Sequence, residues 1–413
     1  MAKQLFDPRF DAARPAAVVR AANVDDVRAA VAFANEQALP VAVRGGGHSY
    51  VGASAADGAM VVDLRLLNEI GYDAGSAVIG AGASVIAVQQ GLAPFGQTLP
   101  LGTCPTVGIA GLALGGGVGV DSRLYGLTCD RLTAATLVLA DGSVEQVSAT
   151  RRPELFWALR GGGAGLGVVT SLTFRTCPTA PKDIVRLSFP GATAEQVLTG
   201  WARWLPDTGR SAWASVELSV DDAGAITSTV LLVCAAGTGT ATAARLAGIV
   251  GAAPGGAGPE TLDHAAAVLR LGGGRIDTPR TVTVAGSDVL REVTPESAAA
   301  VAAAAAELST IGGQGMVLVD PLDGAVRDIP ADATACPWRA HGALLQWLVA
   351  DPDSPDAARG WIDRAHHSVA RFSAGGYSNY LEADHPAERY LAGNAKRWNR
   401  IRAEVDPHGR FAR

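Results

Sequence analysis

Two residue types that can attack carbon stand in glycine-rich surroundings in the first third of the chain. His48 follows the three glycines Gly45, Gly46 and Gly47 in VAVRGGGHSY, after a short β-rich segment, and Cys104 lies in LGTCPTVG. Glycine lets the backbone approach a ligand closely, and N–H groups after a strand commonly hold phosphate. A thiol near such N–H groups can become nucleophilic. Taken singly, each feature also fits a tight surface turn with a solvated histidine and a buried structural thiol.

Known nucleotide and metal motifs do not account for these residues. RGGGHS lacks the Gly-Lys-Ser/Thr of a P-loop and does not open a long helix, so neither a P-loop nor a Rossmann site is predicted. The five cysteines show neither a disulfide frame nor a CxxC pair. The other histidines lack the paired spacing of metal ligands, and we expect no metal. We interpret all six as surface or loop residues: His264, His341, His366, His367, His385 and His408.

Length and composition indicate a globular protein with room for two domains. The chain has 413 residues, 48% of them hydrophobic, and a net charge of -6. The mild acidic balance gives no reason to expect a nucleic-acid partner. No apolar run is long enough for a bilayer, and the N-terminus lacks the apolar centre of a signal peptide. We therefore expect a cytoplasmic protein with no membrane contact.

Strand and helix patterns alternate over the first 180 residues or so and then change character. Strands are predicted at 41–43, 60–64 and 77–82, a helix after Asn23, and a hairpin at LTAATLVLADGSVEQVS. A Pro-punctuated stretch at 176–183 indicates a domain boundary. Longer β runs and helices follow, one of them capped by Thr294 before Pro295. The pattern predicts an α+β protein whose tail is a helical hairpin or a broken helix. Four tryptophans in helical patterns are expected in the core: Trp201, Trp204, Trp361 and Trp398.

The order of motifs along the whole chain carries more information than any one of them. RGGGHSY is followed by GTCPTVGIAGLALGGGVG, RLYGLTCDRL, RPELFWALRGGGAGLGVVTSLTF, ALLQWLV and YSNY. This series resembles the vanillyl-alcohol oxidase superfamily and, within it, the berberine-bridge-enzyme-like oxidases. The resemblance implies a PCMH-type FAD-binding domain of two small α/β subdomains, formed by residues 1–178 with 381–413. It also implies a substrate domain over 179–380, in which helices back an antiparallel sheet.

The resemblance further implies that FAD is held covalently at two points. The equivalents of His48 and Cys104 bond to the 8α-methyl carbon and to C6 of the flavin ring. The glycines after β-rich segments would then donate N–H bonds to the pyrophosphate. The other expected cofactor-binding residues are Arg44, Gly45, Gly46, Gly47, Ser49, Pro105, Thr106, Val107, Gly108, Gly111, Leu114, Gly115, Gly119, Gly167, Val168, Val169, Asn379 and Asn394.

On the substrate side, the resemblance implies Tyr377 as the base, helped by Gln346 and Tyr50, whereas Tyr380 is expected to be structural. The expected reaction takes an alcohol of a sugar or secondary metabolite to a carbonyl, and dioxygen is reduced to hydrogen peroxide. A small Val107 fits access of dioxygen to the flavin. Gly165, Leu166 and Val118 replace groups that relatives often have, two of them aromatic, which weakens the case for a stacked sugar.

Two other functions remain open from the sequence. One is a tailoring oxidase of the same fold that cyclises or dehydrogenates a secondary metabolite. The other is a flavin-binding protein without turnover. The protein is expected to be a monomer or a homodimer, since two-fold dimers are the commonest oligomers.

Overall fold

Two large hydrophobic cores, each around its own sheets, hold most of the buried apolar side chains of the described residues. A computed structural model describes residues 5–221, 224–277, 279–383 and 385–411. The first core draws chiefly on residues 21–174 and again on 390–411. The second core draws on residues 185–369. Of the predicted core tryptophans, Trp398 lies in the first core and the other three in the second, as expected.

A three-stranded parallel sheet opens the first unit. Its strands are β1 (Ala17–Arg20), β2 (Val41–Arg44) and β3 (Met60–Asp63), in the order β1-β3-β2. Helix α1 (Val24–Glu36) connects β1 to β2, and Asn23 caps it by accepting from the Asp26 N–H at 2.9 Å. The glycine run therefore leaves the carboxyl end of a parallel strand, where open sheets commonly bind ligands.

A five-stranded antiparallel sheet completes the first unit. The strand order is β4-β5-β9-β7-β8, and the predicted hairpin is confirmed as β7 and β8. The strands are β4 (Ile70–Asp73), β5 (Ser76–Gly80), β7 (Leu132–Val138), β8 (Val144–Ser148) and β9 (Val168–Arg175). The connecting helices are α2 (Val85–Leu92), α3 (Ile109–Leu114), α4 (Ser122–Tyr125) and α5 (Pro153–Leu159). A short ladder of β6 (Gln97–Thr98) with β10 (Cys177–Pro178) ends the unit.

The second unit is a seven-stranded antiparallel sheet in the order β14-β11-β13-β12-β16-β17-β15. Its strands are β11 (Lys182–Ser188), β12 (Trp213–Val220), β13 (Ile226–Ala235), β14 (Glu260–Leu262), β15 (Thr283–Leu290), β16 (Gln314–Pro321) and β17 (Ala343–Ala350). Its helices are α6 (Ala194–Asp207), α7 (Gly239–Val250), α8 (His264–Leu271), α9 (Pro295–Ala306) and α10 (Pro355–Val369).

The two faces of this sheet have different surroundings. Val317, Val319 and Trp347 are fully buried in the core that α6, α7, α9 and α10 share with the sheet. Successive side chains of a strand alternate between faces. Met316 and Leu318, on the opposite face, are only half-buried. That face is turned towards the first unit.

The tail returns to the first core as a broken helix, one of the two predicted forms. Helix α11 (Ala387–Leu391) ends at Ala392, which has a φ of 44°, and α12 (Ala395–Val405) follows. Phe411 then forms a parallel bridge to Val41 at the start of β2. The C-terminal segment thus packs directly on the strand that carries the glycine run.

The interpretation of all six histidines as surface or loop residues is wrong for His264 and His366. His264 starts α8 and is 5% exposed, because α8 packs against the first unit. Its Nε2 lies 2.9 Å from Thr98 Oγ1, and burial lowers the pKa of the imidazole. His366 lies within α10, where its side chain is buried among acidic groups. Among the described residues, no helix has the length and apolarity that crossing a membrane requires.

Candidate active site

The run Gly45–His48 forms a bare loop at the end of β2. Within the described ranges, the N–H groups of Gly45, Gly46 and Gly47 donate to no protein acceptor. Gly47 has a φ of 76°, a conformation that favours glycine. Three N–H groups without protein partners beside a half-buried histidine fit the pyrophosphate and ring edge of a dinucleotide such as FAD.

A second loop meets the first at backbone distance. A Cβ added to Gly46 would collide with the backbone N of Gly108 and lie 2.9 Å from Thr106 O. The second loop is fixed on its far side, because the N–H groups of Val85 and Ile86 donate to the carbonyls of Val107 and Pro105. The two glycine-rich segments predicted to bind FAD therefore form one continuous surface.

His48 and Cys104 border the same hydroxyl group. His48 Nε2 lies 2.8 Å from Thr106 Oγ1, and Cys104 Sγ lies 3.9 Å from that oxygen. The imidazole also stacks on Phe6, with ring centroids 4.4 Å apart and an interplanar angle of 16°. Burial lowers the pKa of His48 to about 4, so the ring is neutral at neutral pH. Two nucleophiles this close can both reach substituents of one benzenoid ring.

The other residues predicted to bind the cofactor differ in how much space the protein leaves around them. Gly111, in α3, has open space where a side chain would be, whereas Gly115 is closed off by Asn379. Ser49 Oγ accepts from the N–H of Ala53 at 3.2 Å and shapes the loop after His48. Gly119 and Gly167 sit against carbonyl groups of the protein itself. The side chains of Leu114, Val168 and Val169 are buried.

Three of the residues predicted to bind the cofactor have side chains that hydrogen-bond to other groups of the protein. The guanidinium of Arg44 is buried, donates to Ser54 O at 3.1 Å and lies 3.9 Å from Asp63. The amide of Asn394 donates to three carbonyl groups, among them Ala331 O at 2.9 Å. The amide of Asn379 donates to Leu112 O and to the Tyr377 hydroxyl, both at 3.0 Å. These contacts fix the positions of the three side chains, and their role in binding the cofactor stays a prediction.

The open face of the large sheet meets the His48 loop through Tyr50. Gln346, on β17, donates from Nε2 to Tyr50 Oη at 3.0 Å. In the antiparallel register Gln346 pairs with Leu318 of β16 and with Ser287 of β15. We call the region between the glycine surface, as its floor, and this face of the sheet, as its roof, the cleft.

Tyr377, the predicted base, is buried in the wall of the cleft. Its hydroxyl accepts from the Gly117 N–H at 2.6 Å and from the Asn379 amide at 3.0 Å. Both donors favour the phenolate, but burial outweighs them and raises the pKa of Tyr377 above its usual range. In this setting the hydroxyl stays protonated at neutral pH.

Asp320 is a candidate site residue that no sequence motif indicates, and it lies near Tyr380, which was expected to be structural. Asp320, on β16, shares the open face of the sheet with Gln346, because its register partner is Leu344. Burial raises the pKa of its carboxyl to about 7. Tyr380 packs against both Tyr50 and Tyr377, with ring centroids 6.0 and 5.2 Å away, and its pKa is raised by burial and by Asp320. The available signal was a lone acid at an alternating position in the strand QGMVLVDP.

A second polar cluster lies on the helix side of the sheet. His366 contacts Asp288 through Nδ1 at 2.6 Å and Glu382 through Nε2 at 2.7 Å. These two carboxylates outweigh the cost of burial and raise the pKa of His366 to about 9. His385 and Glu382 complete a group with metal-ligand spacing. Both nitrogens of His366 already bond to carboxylates. The side chain is therefore an imidazolium within an ion-pair network.

Comparison with known proteins agrees with this geometry. The family model described as "FAD binding domain" matches residues 15–148. The uncharacterised FAD-linked oxidoreductase YgaK of Bacillus subtilis is 29% identical over 98% of this chain and 94% of its own length. (R)-6-hydroxynicotine oxidase of Paenarthrobacter nicotinovorans is 39% identical over 48% of this chain and 41% of that protein. For this second relative the matched part is thus less than half of its length.

Solved structures match over nearly the whole chain. BBE-like 1 of Physcomitrella patens has a TM-score of 0.88 at 25% identity and covers 100% of this chain and 93% of its own. 6-Hydroxy-D-nicotine oxidase of Arthrobacter nicotinovorans has a TM-score of 0.83 at 27% identity, over 99% and 93%. Glucooligosaccharide oxidase of Acremonium strictum, described with 6-S-cysteinyl, 8α-N1-histidyl FAD, has a TM-score of 0.89 at 24% identity, over 99% and 92%.

The fold, the two-loop surface and these relatives agree on a flavin as the cofactor. The match to glucooligosaccharide oxidase, at 24% identity, shows the fold alone. The matches to BBE-like 1 and to 6-hydroxy-D-nicotine oxidase also place the chain among enzymes. Residues 15–148 thus match an FAD-binding domain, and the chain as a whole has the fold of the berberine-bridge-enzyme-like and nicotine-oxidase FAD-linked oxidoreductases.

Proposed function

We propose that this enzyme oxidises a secondary-metabolite-type alcohol to a carbonyl, with FAD bound covalently to His48 and Cys104 and with dioxygen as the electron acceptor. The observation that carries the proposal is the convergence of His48 and Cys104 at the floor of the cleft with Tyr50, Gln346 and Asp320 above them. The flavin supplies the redox chemistry by taking a hydride from carbon and passing two electrons to dioxygen.

Asp320 is the group best suited to take the hydroxyl proton. Its carboxyl, with a pKa of about 7, is partly ionised at neutral pH and strong enough as a base. Tyr380 lies near enough for the charge of Asp320 to raise the pKa of its hydroxyl, which therefore keeps its proton at neutral pH. Tyr377, the base implied by resemblance, is instead tied to Gly117 and Asn379 in the wall.

Tyr50 and Gln346 would orient the substrate hydroxyl. Gln346 donates to the Tyr50 oxygen, so the phenolic proton of Tyr50 is free to turn towards an acceptor in the cleft. Burial raises the pKa of Tyr50 to about 12, which keeps this proton on the oxygen at neutral pH. A fixed donor beside a carboxylate can hold an alcohol with its hydroxyl towards Asp320.

The roof presents both apolar and polar side chains. Met316, Leu318 and Leu348 lie on the open face, and the strand register places Glu217 beside Leu318 and Ser219 beside Met316. All eight tryptophans are at most 5% exposed, so none offers a platform for a sugar ring. The lack of such a platform supports a secondary metabolite over a carbohydrate as the substrate class.

Val107 would control the access of dioxygen. It is half-buried, and its carbonyl accepts from the Val85 N–H at 2.9 Å, which fixes the backbone next to Thr106. A small β-branched side chain here leaves more room than leucine would. The proposal therefore includes reoxidation by dioxygen with release of hydrogen peroxide.

Two measurements on the purified protein test the proposal. Acid precipitation should leave the flavin absorbance in the pellet of the wild type and of each single variant, His48→Ala and Cys104→Ala, but not of the double variant. Anaerobic mixing with apolar secondary alcohols should bleach the flavin, and admitted air should yield one hydrogen peroxide per carbonyl formed. Flavin entirely in the wild-type supernatant would contradict the covalent attachment. Bleaching by amines alone would contradict alcohol oxidation.

A further inference from the structure

The His48 ring is held on both sides by residues outside the glycine run. Phe6 stacks on one face at 4.4 Å, and its N–H donates to Gly47 O at 3.1 Å. Arg280 donates from Nε to the neighbouring Leu5 O at 2.6 Å. The segment that carries Phe6 is therefore bonded to both units, so the stacking is a fixed part of the structure.

The two ring nitrogens of His48 have different surroundings. Nε2 lies 2.8 Å from Thr106 Oγ1, whereas Nδ1 contacts no hydrogen-bonding group in the part of the chain that the structure describes. A neutral imidazole carries one proton and one free lone pair. When Nε2–H donates to Thr106, the lone pair is on Nδ1, the nitrogen without a protein partner.

We propose that Phe6 and Thr106 are positioning residues that present Nδ1 of His48 to the 8α-methyl group of FAD and so direct the covalent attachment. The inference rests on the proposed attachment at His48. A ring flip would exchange the two nitrogens, and it would break the Thr106 bond. Phe6 restricts the tilt of the same ring. Holding a reacting pair in one orientation removes much of the entropic barrier.

The attachment balances with dioxygen as the oxidant. One C–H bond of the 8α-methyl group and the N–H bond of the imidazole break, and the Nδ1–C bond forms. The two electrons and two protons released in the net change reduce dioxygen to hydrogen peroxide. No residue of the protein changes its oxidation state.

The test is made in a Cys104→Ala background, so that His48 is the only tether. Apoprotein is supplied with FAD in air, and the fraction of flavin in the acid pellet is followed with time. We expect Thr106→Val and Phe6→Ala each to slow attachment at least tenfold while non-covalent FAD still binds. Thr103→Val, on the other side of Cys104, is the matched control and should leave the rate unchanged. Rates within twofold for all variants would overturn the inference.

The imidazole nitrogen through which His48 bonds to the flavin can be identified in the wild type, without any variant. The histidyl flavin released by proteolysis of the wild type should be joined through Nδ1, as NMR of the isolated peptide can show. A bond through Nε2 would overturn the inference even when the attachment itself is correct. Flavin free of His48 in the Cys104→Ala protein would overturn both. Thr106→Ser, which keeps the hydroxyl, should restore attachment lost in Thr106→Val, a result that a purely structural role of the side chain would not give.

Discussion

Asp320 owes its proposed role to the strand on which it lies. The sequence motifs identified His48, Cys104, Tyr50 and Gln346, because each belongs to a local pattern that can be read without the fold. Asp320 belongs to no such pattern. Its position depends on the pairing of β16 with β17, which places it on the face of Gln346. A pairing between strands distant in sequence cannot be read from either strand alone.

Replacement of Asp320 by Asn should lower the rate of anaerobic flavin reduction by about 100-fold or more, since a positioned base typically contributes that much. In the wild type the rate should rise with pH through about 7, because the carboxyl must be ionised to accept a proton. This limb should vanish in the variant. Stopped-flow bleaching of the flavin from pH 5 to pH 9 measures both.

Two further variants distinguish the role of Asp320 from those of other residues. Glu217→Gln, on the same face but on β12, keeps the strand register and should leave the rate within a few-fold. Tyr377→Phe should reduce stability more than the rate, since its hydroxyl accepts two hydrogen bonds in the wall. If Tyr377→Phe lost most of the rate of flavin reduction while Asp320→Asn kept the wild-type rate, the base would be Tyr377 and not Asp320.

Val107→Leu should slow reoxidation of the reduced flavin by air, because the larger side chain occupies space through which dioxygen would approach. Anaerobic reduction by substrate should keep its rate. The check is a stopped-flow experiment in which substrate-reduced enzyme is mixed with air-saturated buffer. Equal reoxidation rates in the two proteins would remove Val107 from the proposal.

At the scale of elements, the sequence predicted β2, α1, the β7–β8 hairpin and the capped α9 well, because each has its own cap, turn or periodicity. It did not predict that the loops after β2 and before α3 touch at Gly46 and Gly108. Contact between two loops depends on how β-strands and helices pack around them. The same limit hid the burial of His264 at the start of α8.

Gly46→Ala should abolish flavin binding or leave the protein insoluble, since the new Cβ would collide with the backbone of Gly108. Gly248→Ala, in α7 of the second unit, is the control, because its Cβ would meet no protein atom within 4 Å and no positive φ is required. The ratio of flavin to protein absorbance in purified samples compares them. Normal flavin content in Gly46→Ala would show that the two loops separate easily.

His366 in α10 should make stability depend on pH in alkaline solution. Its pKa is about 9 in the folded protein and ordinarily 6.5, so its contribution is complete below pH 6.5 and is lost as the pH rises through 9. The full contribution is at most about 3 kcal/mol. Urea unfolding of wild type and His366→Gln at pH 6 and pH 10 should show a difference that shrinks at high pH. The exposed neighbour variant His367→Gln should show no such trend.

At the scale of the whole molecule, the two units are joined by apolar clusters that draw on both of them and by buried polar contacts. Lys182, the first residue of β11, lies 2.7 Å from Asp121 of the first unit, and both side chains are buried. Asp121 also lies 3.7 Å from His264. The sequence predicted a boundary at 176–183 from its prolines, but a lysine after a boundary does not reveal its partner 61 residues earlier.

Asp121→Asn should therefore destabilise the whole protein by about 3 kcal/mol, because it leaves the Lys182 charge buried without its partner. The double replacement Asp121→Leu with Lys182→Met removes both charges and should recover most of that loss. Urea unfolding of the holoprotein, followed by tryptophan and flavin fluorescence, reports on both units at once. Coincident transitions that shift together in Asp121→Asn mean that the contact couples the units. If only the flavin signal shifts, the Asp121–Lys182 pair stabilises the first unit alone. A double variant with as low a free energy of unfolding as Asp121→Asn would show that packing, not charge, holds the units together.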